Sequence, residues 1–172
     1  MSDEPEFFPI HAAFGVPLNH VEMGWVGMLS IIWAQLEFLV ELWIYHLRNQ
    51  TFDEGRATSL PRDISKRIGV LYALAGDTLK RDQRVIVLAL CERGMAAAPK
   101  RNLAIHGNWM VNEDIGAVSA VSWFKVPVGE TLSYLPHSDV PGLVIETASI
   151  GLALYQLLEK RGGVPHGPIH NL

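Results

Sequence analysis

The sequence predicts a mainly α fold, a helical bundle of four to five helices with a β-hairpin inserted before the last helix. Long segments carry apolar residues at helical spacing, prolines and glycines separate them, and the spacing changes to alternation only between residues 116 and 135. The chain has 172 residues, of which 49% are hydrophobic. That is enough for one core and too little for two well-built domains, so we interpret residues 1–172 as a single domain.

Charge and cysteine content indicate the cellular setting. The formal net charge is -4, so any contact with nucleic acid would need a local basic surface. The single cysteine, Cys91, argues against an internal disulfide framework and fits a reducing compartment. It lies in an apolar run, where a buried thiol is expected. The acidic start Met1–Glu6 differs from the basic start of a secretory signal, and we expect a cytoplasmic protein.

The N-terminal part of the chain predicts an arm followed by a long helix. Residues 1–19 are expected to be irregular, because prolines recur there among phenylalanines. Asn19 is a possible N-cap for a first helix that runs from His20 to about Arg48 without proline. Apolar residues at helical spacing give this helix a broad buried face: Leu29, Ile32, Trp33, Leu36, Leu39, Val40, Trp43, Ile44 and Leu47.

This first helix is predicted to lie in a soluble core and not in a membrane. Its uncharged run from Met23 to Leu36 is shorter than the roughly 20 residues that a bilayer requires, and Glu22, Glu37 and Glu41 bracket or interrupt the wider apolar stretch. A face this broad suits contact with a second copy of the chain, so we expect a homodimer. Glu37 and Glu41 are one turn apart. They form either a solvated stripe or a pair that orients a cationic residue near the site.

The middle of the chain predicts two further helices. Asn49–Arg56 is polar and is interpreted as a loop. Pro61 suits the first turn of a shorter helix that ends near Gly76. Asp77 is then expected to cap a helix from Thr78 to about Ala98. Pro99 is expected to interrupt or restart that helix, because an internal proline removes a backbone hydrogen bond and clashes with the preceding turn.

The C-terminal part predicts a hairpin, a last helix and a tail. Residues 116–135 alternate in the manner of two strands, with a turn near Pro127–Glu130. A lone hairpin is marginal in water, so it must pack on the helices or on another subunit. The last helix starts near Asp139 and ends at Gly162. Residues 162–172 form a loose tail whose His166 and His170 are a weak metal signal. No metal or cofactor is expected.

The residues with the most distinctive chemistry lie just after Pro99. On a helix, Asn102 and His106 share one face, while Arg101 diverges from His106 by somewhat more than a right angle. A guanidinium can hold a phosphate through two hydrogen bonds, and an imidazole can take or give a proton near neutrality. These groups suffice for attack of a ribose 2′-hydroxyl on its neighbouring phosphate. Gly107 is expected to end the helix and leave His106 accessible.

The segment Arg101-Asn102-Leu103-Ala104-Ile105-His106 resembles the signature of the HEPN superfamily, in which an arginine, a polar residue, three more residues and a histidine occur on a helix of a small bundle. Gly107 and Trp109 strengthen the likeness, which covers the motif and the helical plan from about Gly24 to Arg161. The resemblance implies a metal-independent endoribonuclease, often a toxin or defence component with an antitoxin or regulatory partner. It implies two chains whose motifs face one composite cleft, with His106 as general acid or base and Arg101 on the phosphate.

Other residues near the motif are candidates for binding RNA. Asn102 would orient His106 or contact RNA, Lys100 would contact phosphate, and Trp109 would stack on a base. Each has a structural alternative, since tryptophans are usually core or interface anchors and helix lysines are often merely solvated. Lys100 would continue a local basic path with Lys80, Arg81, Arg84 and Arg93. The alternative function is a noncatalytic dimeric helical module that binds a nucleotide or a protein partner.

Overall fold

The computed structural model describes residues 16–112, 116–122 and 134–163. This part of the chain contains five α-helices and three short strands, which confirms the predicted mainly α bundle with a hairpin before the last helix. Residues 1–15 of the predicted arm and 164–172 of the predicted tail lie outside it. The elements, in chain order, are α1 His20–Leu47, α2 Phe52–Ala57, α3 Ile64–Thr78, α4 Arg81–His106, β1 Asn108–Asn112, β2 Ala117–Val121, β3 Tyr134–Pro136 and α5 Val140–Glu159.

The four long helices form a bundle in which each packs mainly against two neighbours, and α1 and α4 also make a smaller contact with each other. Helix α1 contacts α5 and α3, and α4 contacts the other side of both. Trp33 and Trp43 are both 0% exposed, and the indole N–H of Trp43 donates to the carbonyl of Leu154 on α5 at 2.9 Å. These two tryptophans therefore pack in the core of the chain itself. Burial of such large side chains on all four helices provides the main driving force for the fold.

The predicted start of α1 is confirmed at Asn19. The Asn19 side chain accepts the backbone N–H groups of Val21 and Glu22, and Glu22 Oε2 accepts the backbone N–H of Asn19 at 2.7 Å. This reciprocal capping box satisfies donors that have no partner within the helix. The helix therefore begins at His20, as the sequence predicts.

Three predictions for the middle of the chain are wrong. Pro61 does not lie in the first turn of the third helix, because α3 begins at Ile64 with Asp63 as its N-cap. The expected loop Asn49–Arg56 contains α2, because Thr51 and Glu54 form a second capping box and Gly55 lies against the Tyr45 ring. Asp77 does not cap the next helix, since it lies in the last turn of α3. Helix α4 begins only at Arg81, after Lys80. Short helices fixed by side-chain caps and tertiary contacts leave little periodic signal in the sequence.

The predicted interruption at Pro99 is also wrong, because α4 runs through it without a break from Arg81 to His106. Pro99 is exposed, whereas Ala97, Ala98 and Ala104 on either side of it are buried in the core. Packing on both sides of the proline offsets the lost backbone hydrogen bond. The motif is therefore carried by the end of a helix of 26 residues.

The strands form one antiparallel sheet in the order β1-β2-β3. The pairing of β2 with β3 corresponds to the predicted hairpin, and the predicted turn at Pro127–Glu130 lies outside the residues that the structure describes. Strand β1 is an addition, paired with β2 so that Trp109 faces Ala120. Trp109 is therefore on a strand, and the helix ends at His106, directly before Gly107, as the sequence predicts.

Two helical stretches, His20–Leu47 and His137–Glu159, are long and apolar enough to cross a membrane by length and composition. Core helices of soluble proteins meet the same criteria, so this observation is weak. In α1, however, only 22% of the most apolar window is buried within the chain. Much of the apolar surface of this helix therefore faces outward.

Candidate functional site

Arg101 and His106 lie in the last two turns of α4, where a tight backbone geometry ends the helix. Gly107 has φ -74° and ψ 157°, and its N–H donates to the Leu103 carbonyl at 2.8 Å. A Cβ at Gly107 would lie 2.5 Å from that carbonyl oxygen, which is too close for any other residue without a shift of the backbone. Glycine thus lets the chain leave the helix directly after His106, and the His106 side chain is exposed.

The structure brings the guanidinium of Arg101 into contact with the imidazole of His106. Arg101 Nη1 lies 3.3 Å from His106 Nε2 and 3.2 Å from Asn102 Oδ1. Because a guanidinium can only donate, Nε2 must be the accepting nitrogen when this contact is a hydrogen bond. In that hydrogen bond the lone pair of Nε2 is occupied by the N–H of Arg101.

The guanidinium of Arg101 also lies over Trp33 of α1, with its carbon 5.7 Å from the ring centroid. This distance permits a cation–π interaction, which holds the arginine beside the core. Arg101 Nε is buried without a hydrogen-bond partner. Among the described residues, Arg101 Nη2 makes no hydrogen bond. No carboxylate of those residues forms a salt bridge with Arg101. Its charge is left without an anionic partner in this part of the chain.

The other predicted site residues lie around this pair in different ways. Asn102 is exposed and bonds Arg101, so it positions the arginine and not His106. Lys100 is exposed on the preceding position of α4. The half-buried indole of Trp109 donates from Nε1 to the Ala104 carbonyl at 3.2 Å, which fastens β1 to the end of α4. Trp109 thus has the structural role of an anchor next to the motif.

The predicted basic path does not form a continuous surface with the motif. Arg93 is bound to Glu146 at 2.7 Å and 2.8 Å, and this hydrogen-bonded pair raises the pKa of Arg93 and lowers that of Glu146. Arg84 donates to the Gly76 carbonyl. Arg81 starts the helix that carries Arg101 near its end, so about 30 Å of helix axis separates the two. Lys100 is the member of the path that lies near Arg101 and His106.

The acidic pair on α1 has a partner that the sequence does not indicate. Arg67 of α3, only 9% exposed, donates from Nη2 to Glu37 at 2.8 Å and from Nη1 to Glu41. The two carboxylates are therefore not a solvated stripe, and they hold Arg67, not a residue of the motif. Sequence separations of 30 and 26 residues leave no local signal for this network.

A second contact between an arginine and a histidine lies elsewhere, at the C-terminal end of α1. Arg161 Nε donates to His46 Nε2 at 3.1 Å, and Arg161 Nη1 donates to the Gln83 side chain. Burial first, and the charge of Arg161 second, lower the pKa of His46. Beside it is a cavity of about 240 Å³ whose polar lining includes His46 and Gln50. None of the residues that line this cavity belongs to the motif.

Metal and thiol chemistry find little support in the described ranges. Residues 16–112, 116–122 and 134–163 contain no group of three or more His, Cys, Asp or Glu side chains that could hold a metal ion. His166 and His170 lie outside these ranges. Cys91 is 3% exposed, and burial raises the pKa of its thiol to about 12. The interpretation of Cys91 as a buried apolar residue is confirmed, because a nucleophilic cysteine needs an accessible thiolate.

Comparisons of the chain with protein-family models, with curated proteins and with solved structures gave no match. The candidate site is therefore defined by the Arg101–His106 contact, the position of Arg101 over Trp33, and the exposure of His106 at the end of α4.

Proposed function

We propose that this protein is a metal-independent endoribonuclease that cleaves RNA through the 2′-hydroxyl of the ribose. The observation that carries the proposal is the contact of 3.3 Å between Arg101 and His106 at an exposed helix end. An arginine with no carboxylate partner suits the negative charge of a phosphate, and the adjacent Nε2 suits the removal of a proton. The likeness of the motif to the HEPN signature adds support from an independent direction.

In the proposed reaction, the 2′-oxygen attacks the neighbouring phosphorus and the bond from phosphorus to the 5′-oxygen breaks. As the guanidinium turns to the phosphate, Arg101 Nη1 leaves His106 Nε2. The freed Nε2 then accepts the proton of the 2′-hydroxyl, and Arg101 stabilises the negative charge that develops on the phosphate oxygens. The Nε–Nη2 edge of Arg101 carries no protein partner among the described residues. Because Nε is buried, the guanidinium has to turn outward for this whole edge to bind a phosphate in bidentate fashion.

The departing 5′-oxygen needs a proton, and one motif supplies one histidine. A second copy of the chain would bring the partner's His106 to the opposite side of the scissile phosphate, as the resemblance implies. The products are then a 2′,3′-cyclic phosphate and a 5′-hydroxyl, with no net change in protons. Asn102 would keep Arg101 in place, and Lys100 would bind a flanking phosphate. A toxin or defence role, with an antitoxin or regulatory partner, belongs to the same proposal.

The test is incubation of the purified protein with single-stranded RNA in EDTA. Wild-type protein is expected to shorten the RNA, and His106→Ala and Arg101→Ala are each expected to abolish the cleavage. Arg101→Lys keeps the charge and loses the planar fork, so its activity should fall as well. Intact RNA after incubation with folded wild-type protein would contradict the proposal and favour a noncatalytic module. Binding of RNA or a nucleotide without cleavage would identify that alternative.

A further inference from the structure

Helix α1 carries an exposed apolar strip on the side that faces away from the core. Within it, Val21 is 70% exposed, Met28 46%, Ile31 59% and Phe38 45%. Gly24 and Gln35 are exposed on the same side, and Trp25 borders it. We define the seam as Val21, Gly24, Met28, Ile31, Gln35 and Phe38.

The spacing of the seam is that of a coiled coil and not that of an ordinary amphipathic helix. Its residues are separated by three and four positions in alternation, so they occupy successive a and d positions of a heptad pattern. The exposed part of this pattern ends after Phe38, where other parts of the chain cover α1. The next seam position after Phe38 is Leu42, which is 6% exposed, and the one after that is Tyr45, which is 5% exposed.

No charge of α1 interferes with this face. Glu37 and Glu41 are bound by Arg67, and Glu22 is bound to the Asn19 backbone and to His137. Glu22 and Glu37 lie on the far side of the helix from the seam, and Glu41, which is one turn from Phe38, is bound by Arg67. The positions that flank it, Gly27, Ala34, Trp25 and Ile32, are uncharged as well. A face of this kind favours an equally uncharged helix as its partner.

We propose that the seam binds the same seam of a second copy, with the two α1 helices antiparallel. In one register, each a position meets a d position of the partner. Val21 then faces the partner's Phe38, Gly24 faces the partner's Gln35, and Met28 faces the partner's Ile31. The twofold symmetry repeats these three layers, so every seam residue has a seam residue opposite it.

Side-chain size selects the antiparallel arrangement over the parallel one. A parallel pair would stack Gly24 on the partner's Gly24 and Phe38 on the partner's Phe38, leaving a gap in one layer and a bulge in another. The antiparallel register pairs the smallest residue with the polar Gln35 and the largest with Val21, so the spacing between the helices is more even. A single polar residue in such a seam fixes the register at some cost in stability.

The seam is separate from the candidate site. Ile31 and Trp33 are two positions apart on α1, which places them on nearly opposite sides of the helix. Trp33 is 0% exposed and faces Arg101, whereas Ile31 faces outward. The inference does not rest on the proposed function, because the oligomeric state is measured without RNA. It assigns a definite surface to self-association. Because this surface faces away from Arg101, the seam dimer is not the pairing that would bring two His106 side chains to one cleft.

Sedimentation equilibrium tests the proposal. Wild-type protein is expected to be a dimer. Ile31→Glu should raise the dimer dissociation constant at least about tenfold, because it places an unpaired charge in the seam. Ile145→Glu is the matched control, since Ile145 is 66% exposed on α5 and should leave the dimer intact. Circular dichroism establishes that both variants are folded. A monomeric wild type, or equal dissociation by both variants, would overturn the proposal.

Cysteine cross-linking tests the register in a Cys91→Ala background. A mixture of Met28→Cys and Ile31→Cys chains should form a mixed disulfide dimer on oxidation, because these positions face each other. Each variant alone should cross-link poorly, because its cysteines are offset along the helix axes. Efficient cross-linking of each variant with itself would indicate parallel helices and would overturn the proposed arrangement.

Discussion

The described part of the chain contains two contacts between an arginine and a histidine, and they have nearly the same length and different surroundings. Arg101 Nη1 lies 3.3 Å from His106 Nε2, and Arg161 Nε lies 3.1 Å from His46 Nε2. The second pair joins α1 to the residues after α5, and Arg161 also reaches Gln83 on α4. The first pair lies within a single helix. The Arg161–His46 contact therefore joins distant parts of the chain directly, whereas the Arg101–His106 contact is local and only Arg101 reaches another helix, through Trp33.

The difference shows that the contact alone does not identify a site. Each edge of the Arg161 guanidinium has one nitrogen bonded to protein, and His46 is half-buried. Arg101 keeps one edge without protein partners among the described residues, and His106 is exposed. Phosphate chemistry needs donors that no protein group has taken and an accessible imidazole. These features favour Arg101 and His106 as the functional pair and Arg161 and His46 as a structural one.

The largest expected effect separates the two histidines by activity. His106→Ala should lower RNA cleavage by about 100-fold or more, because it removes the proposed general base. His46→Ala should leave the cleavage rate within about threefold of wild type, since surface substitutions away from a site usually have small effects. The measurement is the initial rate of cleavage in EDTA with matched amounts of folded protein. Equal losses in the two variants would remove the distinction between the pairs.

A second prediction compares Arg67 with Arg101 in their effects on the stability of the fold. Arg67→Met should destabilise the protein by about 3 kcal/mol, because it leaves Glu37 and Glu41 close together without their shared cation. Arg101→Met should lower the free energy of unfolding by less than about 1 kcal/mol. No carboxylate of the described residues forms a salt bridge with Arg101. Urea unfolding of the two variants and of wild type gives both values. A larger cost for Arg101→Met than for Arg67→Met would show that Arg101 is mainly a structural residue.

The smallest expected effect is a pH dependence of stability that comes from His46. Its folded-state pKa is lowered from 6.5, so the unfolded chain binds this proton more readily than the folded chain. The stability associated with neutral His46 is therefore fully present above the unfolded-state pKa and is lost as the pH falls below it. His46→Gln should lose less stability than wild type between about pH 7.5 and about pH 5.5. Urea midpoints at the two pH values measure this difference, and identical pH profiles would contradict it.

Local rules predict the beginning of α1, the presence of the long helices and the hairpin before α5. Asn19 is identifiable because capping depends on residues next to each other in sequence. The network around Arg67 is not identifiable, because its partners come from another helix. Strand β1 was missed because it begins as soon as Gly107 ends α4, and its stability depends on pairing with β2.

The candidate site was only partly predictable for the same reason. The sequence gives Arg101, Asn102 and His106 on one helix, and ideal geometry separates Arg101 from His106 by more than a right angle. The long arginine side chain nevertheless reaches His106, and Trp33 of α1 supports it from the core. Trp33 could not be assigned to the site from sequence, since it is 68 positions away from Arg101. The position of Trp33 among the regularly spaced apolar residues of α1 predicts only that its side chain is buried.

The most direct test of the central claim is an analysis of RNA ends after incubation with wild-type protein in EDTA. Attack by the 2′-hydroxyl with His106 as base leaves a 2′,3′-cyclic phosphate on one fragment and a 5′-hydroxyl on the other. Mass spectrometry of the fragments distinguishes these ends from those of hydrolysis by water. We expect cyclic phosphate ends with wild type and no new ends with His106→Ala. Intact RNA with folded wild type, or the same ends with His106→Ala, would contradict the assignment of His106 and Arg101 as the catalytic pair.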